Sequence, residues 1–122
     1  MPEPLSNRLD ATLQFNANAL RLRSERQALL AANIANADTP NYKAVDFDFA
    51  KALDDANAAS SRGTHAGKPA TLYRQPAQPS LDGNSVEMDA ERAQFADNSV
   101  RYEAALRFLN GQIKTLLEAL RT

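Results

Sequence analysis

The chain has 122 residues, 43% of them apolar, with 14 Lys and Arg against 15 Asp and Glu for a net charge of -1. That is room for one domain with a core, and the balanced charge gives no electrostatic footprint for nucleic acid or an anionic membrane. The lack of cysteine excludes a disulfide framework and thiolate chemistry. No apolar run approaches the roughly 20 residues needed to span a bilayer, so direct membrane insertion is not expected. The opening Met1-Pro2-Glu3-Pro4-Leu5 lacks the basic and apolar regions of a cleaved secretory signal. Work outside the cytoplasm would then call for export by another route.

From Leu5 to about Asn36 there is neither proline nor glycine and good helix formers dominate, which predicts one long helix. At alternating steps of three and four, Leu13, Ala17, Leu20, Ser24, Ala28, Ala31 and Ala35 form a seam of mostly small side chains that lets a second helix approach closely. Phe15, Ala19, Leu22, Leu29 and Ile34 lie off that seam, which is more apolar surface than one partner covers. Pro40 disfavours helical geometry at Thr39, so the helix should stop between Ala35 and Asp38, with Asn36 as a left-handed cap. Asn33 and Asn36 share one face at that end, where their amides can bond backbone groups left without partners. Thr39-Pro40 forces extended chain, and Tyr42 can anchor it with a packed ring and a bonded hydroxyl.

Residues 50–83 contain Gly63, Gly67 and Gly83 together with Pro69, Pro76 and Pro79, and lack sustained periodicity. They read as a loop-rich connector with at most short β segments. Thr71-Leu72-Tyr73 has the composition of a short strand, confined by the prolines to an edge or an isolated hairpin. Leu81-Asp82-Gly83-Asn84 carries turn chemistry, and Asn84, Ser85 and Asp89 are candidate caps for the helix that follows.

From about Val86 to Leu120 an unbroken alternation of steps runs through Met88, Arg92, Phe95, Ser99, Tyr102, Leu106, Leu109, Ile113, Leu116 and Leu120. This is a heptad seam, and the helix that carries it wants a coiled-coil partner. At ~1.5 Å per residue the two helices match at about 50 Å, which predicts a paired hairpin. Gly111 interrupts good helical sequence at about 1 kcal/mol relative to alanine. Ala93, Ala96, Val100, Ala104 and Phe108 run beside the seam, so a two-helix pairing leaves apolar surface over. Side-by-side assembly would bury it; a compact monomeric bundle covered by the connector is the other solution.

The expected fold is therefore all-α: two long helices in an extended coiled-coil-like hairpin, forming one structural domain of segments 1–49, 50–83 and 84–122. Catalysis and cofactors have no visible site. His65 is the only histidine and sits in the connector, which excludes a multi-histidine zinc site. Ser60 or Ser61, His65 and Asp54 or Asp55 lack any nucleophile elbow or oxyanion hole. Glu87, Asp89 and Glu91 crowd a helix N-terminus, where the dipole alone accounts for them. Nothing here points to an enzyme.

One segment stands out: Ala32-Asn33-Ile34-Ala35-Asn36-Ala37-Asp38-Thr39-Pro40-Asn41-Tyr42-Lys43-Ala44. It resembles the N-terminal signature of flagellar rod, hook and related axial proteins, with Asn41 where glycine is commonest; asparagine also tolerates left-handed backbone. The continuation Val45-Asp46-Phe47-Asp48-Phe49 and the run from Leu81 to Asp89 are similar to the FlgB type of proximal rod protein. The resemblance implies a structural subunit, exported unfolded by the flagellar type III apparatus without a cleaved signal and polymerising helically as the proximal rod across the periplasm, so carrying torque from membrane ring to distal rod and hook. Its implied partners are further copies of itself, other proximal and distal rod proteins, a FliE-like adaptor, the membrane ring and the export apparatus. On this reading Asn33, Asn36, Thr39, Pro40 and Tyr42 shape a bend that meets the next subunit. Leu13, Leu20, Phe95, Tyr102, Leu106, Leu109, Ile113, Leu116 and Leu120 hold the helices together and face neighbours. The alternative from another class is a soluble helical adaptor or export chaperone that binds a partner helix in the seam.

Overall fold

The computed structural model describes residues 4–121; Met1 to Glu3 and Thr122 lie outside it. Three helices and two short strands follow in the order α1 Leu5–Ala35, β1 Val45–Asp46, α2 Phe49–Ser61, β2 Leu72–Tyr73 and α3 Met88–Arg121. The two long helices are those the patterning predicts. At ~1.5 Å per residue, their 31 and 34 residues give rods of about 46 and 51 Å.

α1 and α3 form an antiparallel hairpin, as the descending order of bonded pairs records. Asn16 bonds Gln112, Arg23 and Gln27 bond Asn98, Arg26 bonds Gln94 and Asn33 bonds Glu91. α1 also packs against α2, while α2 and α3 do not approach each other, so α1 is the central element. Leu22, Phe47, Ala52 and Ala56 make the small apolar core on the α2 side, with Leu29, Phe49 and Leu53 packed around it. Arg23 joins the two sides: its guanidinium lies 3.6 Å over the Phe49 ring and also bonds Asn98 on α3. Burial, followed by repulsion from Arg101 and Arg26, lowers the Arg23 pKa.

α2 lies in the segment read from sequence as loop. Gly63 and Gly67 and the three prolines of that segment all follow Ser61, and they obscured the helical spacing of Phe49, Ala52, Leu53, Ala56 and Ala59 before them. Its cap is legible in retrospect, since the Asp48 carboxylate accepts from Lys51 N at 3.1 Å. The expected strand is present: β2 pairs antiparallel with β1, Val45 opposite Tyr73 and Asp46 opposite Leu72.

The seam between α1 and α3 is turned by one residue from the predicted heptad. Phe95, Tyr102, Leu109 and Leu116 are half-buried as expected, but Arg92, Ile113 and Leu120 of the second predicted row are exposed, and only Ser99 and Leu106 of it are half-buried. Their place is taken by Glu91 and Asn98, both fully buried, with Ala105 and Gln112 half-buried. The reason is hydrogen bonding. Asn16, Arg23, Gln27 and Asn33 of α1 present polar groups to this face, and the α3 residues that satisfy them must turn inward. The small-residue seam of α1 is corrected in the same way, because Ala17, Ser24, Ala28, Ala31 and Ala35 are all exposed. Leu22→Ala should therefore destabilise the fold by about 2–4 kcal/mol in urea denaturation, and Ala28→Leu should change stability by less than about 0.5 kcal/mol. The reverse order would restore the predicted seam.

Candidate functional site

The segment from Asn36 to Ala44 and the turn before α3, distant in sequence, are bonded to each other along their length. Asn36 closes α1 by donating from Nδ2 to Ala32 O at 2.8 Å, and the Thr39 hydroxyl donates to Asn36 Oδ1 at 3.1 Å. Asn36 is the C-cap, but at φ -103° it is not left-handed; Asn41, at φ 63°, takes that conformation. Pro40 stands exposed between them. Asn84, nearly buried, then donates Nδ2 to the carbonyls of Asn36, Ala37 and Thr39 at 3.0, 3.0 and 2.7 Å. Two of these carbonyls also accept backbone bonds, Asn36 O from Thr39 N at 3.0 Å and Thr39 O from Tyr42 N at 3.2 Å, so Asn84 adds a second bond to each. Asn41 N donates to Asp82 O at 2.9 Å, Ser85 N to Tyr42 O at 3.0 Å and Ala44 N to Ser85 Oγ at 2.8 Å. Asn84 and Ser85 thus fasten this loop and do not cap α3, and Asp89 lies inside the first turn of α3. Gly83, at φ 75°, holds a left-handed backbone that favours glycine; a Cβ there would also meet Asn41 Oδ1 at 2.4 Å, the end of an exposed side chain that can swing aside. The Ser80 hydroxyl, then the Asn84 amide, hold the Asp82 carboxyl below its usual pKa, so these bonds weaken only as the pH falls through that lowered value.

Beneath the loop Asn33, fully buried, uses both ends of its amide. Nδ2 donates to Val45 O at 2.8 Å and to Glu91 Oε2 at 3.0 Å, while Oδ1 accepts from Val45 N at 3.1 Å and the Tyr42 hydroxyl at 3.3 Å. The side chain pairs with Val45 as a neighbouring strand would. Next to it two anions meet two cations. Asp46 receives both arms of Arg26 at 3.0 and 2.9 Å and Arg74 Nη2 at 2.6 Å. Arg74 Nε faces Glu91 Oε1 at 2.5 Å, a charge contact off the line of a hydrogen bond. The bond to Asp46 raises the Arg26 pKa despite burial. Glu91 is therefore not merely a dipole-compensating carboxylate; nor is exposed Glu87, which accepts from Ala77 N in the connector. Glu91 ties α3 to α1 through Asn33 and, through Arg74, to the connector just after β2.

The five signature residues come together at this junction. Leu13, Leu20, Phe95, Tyr102, Leu106, Leu109 and Leu116 are half-buried along the hairpin; Ile113 and Leu120 are 44% and 81% exposed. Val100, Phe108 and Leu117 on α3 and Leu5 and Phe15 on α1 are likewise exposed. Sequence reasoning missed Asp46, Arg74, Arg26, Asn84 and Asn98 as structural centres. Only Asp46 and Asn84 lie in segments singled out by motif, and Arg74 carries no local signal at all. Among the described residues no cluster of His, Cys, Asp or Glu is arranged to hold a metal, and no helix is long and apolar enough to cross a membrane.

Gly83→Ala should lower stability by about 1 kcal/mol, from the left-handed backbone, while Gly67→Ala, with open space at its Cβ, should be near neutral. Glu91→Gln keeps the shape but leaves two arginines facing one carboxylate. A loss of about 3 kcal/mol in chemical denaturation is expected, and an unchanged midpoint would remove the ion cluster from the account.

Residues 13–43, which contain α1 from Leu13 onward and the signature loop, match the family described as "Flagella basal body rod protein". Over nearly the whole chain it is similar to proteins named flagellar basal body rod protein FlgB. The Escherichia coli protein is 46% identical over 137 residues, covering 95% of this chain and 97% of that one. The Salmonella typhimurium protein is 46% identical with coverage of 93% and 96%, and that of Cereibacter sphaeroides 45% identical with 89% and 93%. These relatives are structural rod proteins, which agrees with a chain that is not an enzyme. At this identity and coverage, with the signature loop matched and its geometry accounted for, the chain belongs to the FlgB family of flagellar basal body rod proteins.

Proposed function

We propose that this chain is a structural subunit of the proximal rod of the bacterial flagellar basal body, polymerising helically to carry torque from the membrane ring toward the distal rod and hook. The observation that carries the reading is apolar surface on both long helices that the single chain leaves wet. Phe15, Val100, Phe108, Ile113, Leu117 and Leu120 are between 44% and 81% exposed, along helices whose mutual seam is occupied by other side chains, polar and apolar. Burial between subunits removes that surface from water at about 25 cal/mol per Å². A rigid junction of Asn33, Asn36, Thr39, Pro40 and Tyr42 at one end of the hairpin then sets the shape presented to the next subunit.

On this proposal its neighbours are copies of itself and other proximal and distal rod proteins, with a FliE-like adaptor and the membrane ring at the base. It passes through the flagellar type III export apparatus without a cleaved signal and works in the rod where that crosses the periplasm. The reading as a soluble adaptor or export chaperone makes a different prediction, a bounded complex with one partner.

Electron cryotomography of cells lacking the gene, beside a complemented strain, tests the proposal. Membrane rings without rods and loss of swimming, both restored by complementation, are expected. Complete rods in the deletion strain would end the rod-subunit reading. Ile113→Asp should keep the chain folded with a melting temperature only a few degrees lower, because the side chain is 44% exposed, yet abolish rod assembly in the same strain. Normal rods from that variant would remove Ile113 from the intersubunit surface.

A further inference from the structure

Two residues that precede a glycine in this chain, Asp82 and Asn110, carry side chains able to close a five-membered ring on the glycine nitrogen, and Gly83 and Gly111 lack the side chain that would hinder the attack. At Asp82 the reaction is blocked. Its carboxylate accepts from the Ser80 hydroxyl and from Asn84 N, which favours the unreactive ionised form, and Gly83 N is itself donated to Ser80 O. Asn110 differs: it is the only asparagine followed by glycine, it is exposed, and it is an amide with ammonia as its leaving group. No neighbour crowds the pair, since a Cβ at Gly111 would meet nothing within 4 Å. What protects it is α3 itself. In the helix Gly111 N–H donates to the carbonyl of Arg107, and the helical ψ of Asn110 keeps its side chain off the line of attack on that nitrogen.

That protection is weak where Asn110 sits. Among the described residues, none in α1 before Asn18 and none in α3 after Asn98 is fully buried. The arm of the hairpin remote from the signature loop is held by half-buried Leu13, Leu109 and Leu116 and by Asn16 donating to Gln112, and Gly111 is a poorer helix former there than alanine. Leu22, Leu30, Asn33, Glu91 and Asn98, all fully buried, lie toward the other end. Segments with few buried contacts open at far lower free energy than the molecule as a whole.

We propose that Asn110 is a self-modification site, deamidating spontaneously at a rate gated by local opening of this arm. Once the arm unwinds, Gly111 N attacks Asn110 Cγ: the N–Cγ bond forms, the Cγ–Nδ2 bond breaks, and Nδ2 leaves as ammonia with the proton from Gly111 N. Water then opens the cyclic imide. Cleavage at Cγ gives aspartate at position 110, and cleavage at the backbone carbonyl carbon gives isoaspartate, in which the chain runs through Cβ and Cγ. The isoaspartyl form adds a backbone atom in mid-helix, which breaks the hydrogen-bond register of α3 and keeps the arm open. The modification belongs to the free chain and holds whether or not that chain is a rod subunit.

The purified full-length chain is kept at neutral pH in native buffer and, in parallel, across a urea series. The peptide containing Asn110 is followed by mass spectrometry, with isoaspartate separated by chromatography. Conversion at position 110 in native buffer is expected, several-fold slower than in the fully unfolded chain, with isoaspartate among the products. Below the unfolding transition the rate should rise little with urea, because opening the arm exposes little surface. Leu116→Ala loosens the arm away from the reacting pair and should speed native conversion several-fold. Asn110 left intact in native buffer, in both the wild-type chain and Leu116→Ala, after the unfolded sample has converted would overturn the proposal. So would a native rate equal to the unfolded rate, which would mean that α3 gives no protection, or a rate that climbs with the full slope of the global transition, which would mean that the gate is not local.

Discussion

A buried carboxamide has four bonds to satisfy and no water to help, and the way Asn33 meets that demand organises the rest of the molecule. It takes the place of a missing strand beside Val45, holds the Tyr42 hydroxyl and reaches Glu91 on α3. One side chain thereby fixes where the chain leaves α1, where β1 begins and how far α3 has slid along α1. Loss of any partner leaves a dry polar group unpaired, which is destabilising by about 1–3 kcal/mol for each group so stranded.

The ion cluster extends this constraint to the connector. Arg74 bonds Asp46 and faces Glu91, while Arg26 reaches Asp46 from α1, so β2 is held down by charge more than by its own two exposed side chains. Buried ion pairs add little net stability but penalise every arrangement that separates them. The same logic runs up the hairpin. Asn98 is fully buried and bonds Arg23 O and Gln27 Oε1 at 2.9 and 2.7 Å, where a leucine would tolerate several registers. Stability from apolar burial is modest here, since the core beneath α2 is small and rich in alanine. Polar specificity inside and apolar surface outside is the opposite of what a self-sufficient bundle displays, and it suits a chain completed by its neighbours.

The two motifs that sequence reading singled out separately turn out to be one structure. Asn84 donates to three carbonyls of the first motif, and Gly83 lies against the side chain of Asn41. Two left-handed residues, Asn41 at φ 63° and Gly83 at φ 75°, meet where the two motifs join.

Local chemistry determined the two long helices, the stop before Pro40, the short strand at Leu72 and the surplus of apolar surface, because helix propensity, proline geometry and periodicity act within a few residues. Family membership was legible for the same reason, in a contiguous run from Ala32 to Ala44. Composition averaged over residues 50–83 hid α2, whose own spacing and Asp48 cap were present. Only the tertiary structure decided which rows of α1 and α3 face each other. A heptad defines a stripe one residue wide on either side, and the choice fell to Asn33, Gln27 and Asn16 finding Glu91, Asn98 and Gln112, a matter of long-range bonding that no window of sequence contains. Arg74 was invisible for that reason, its role fixed by two carboxylates 28 and 17 residues away that meet it only in the folded chain.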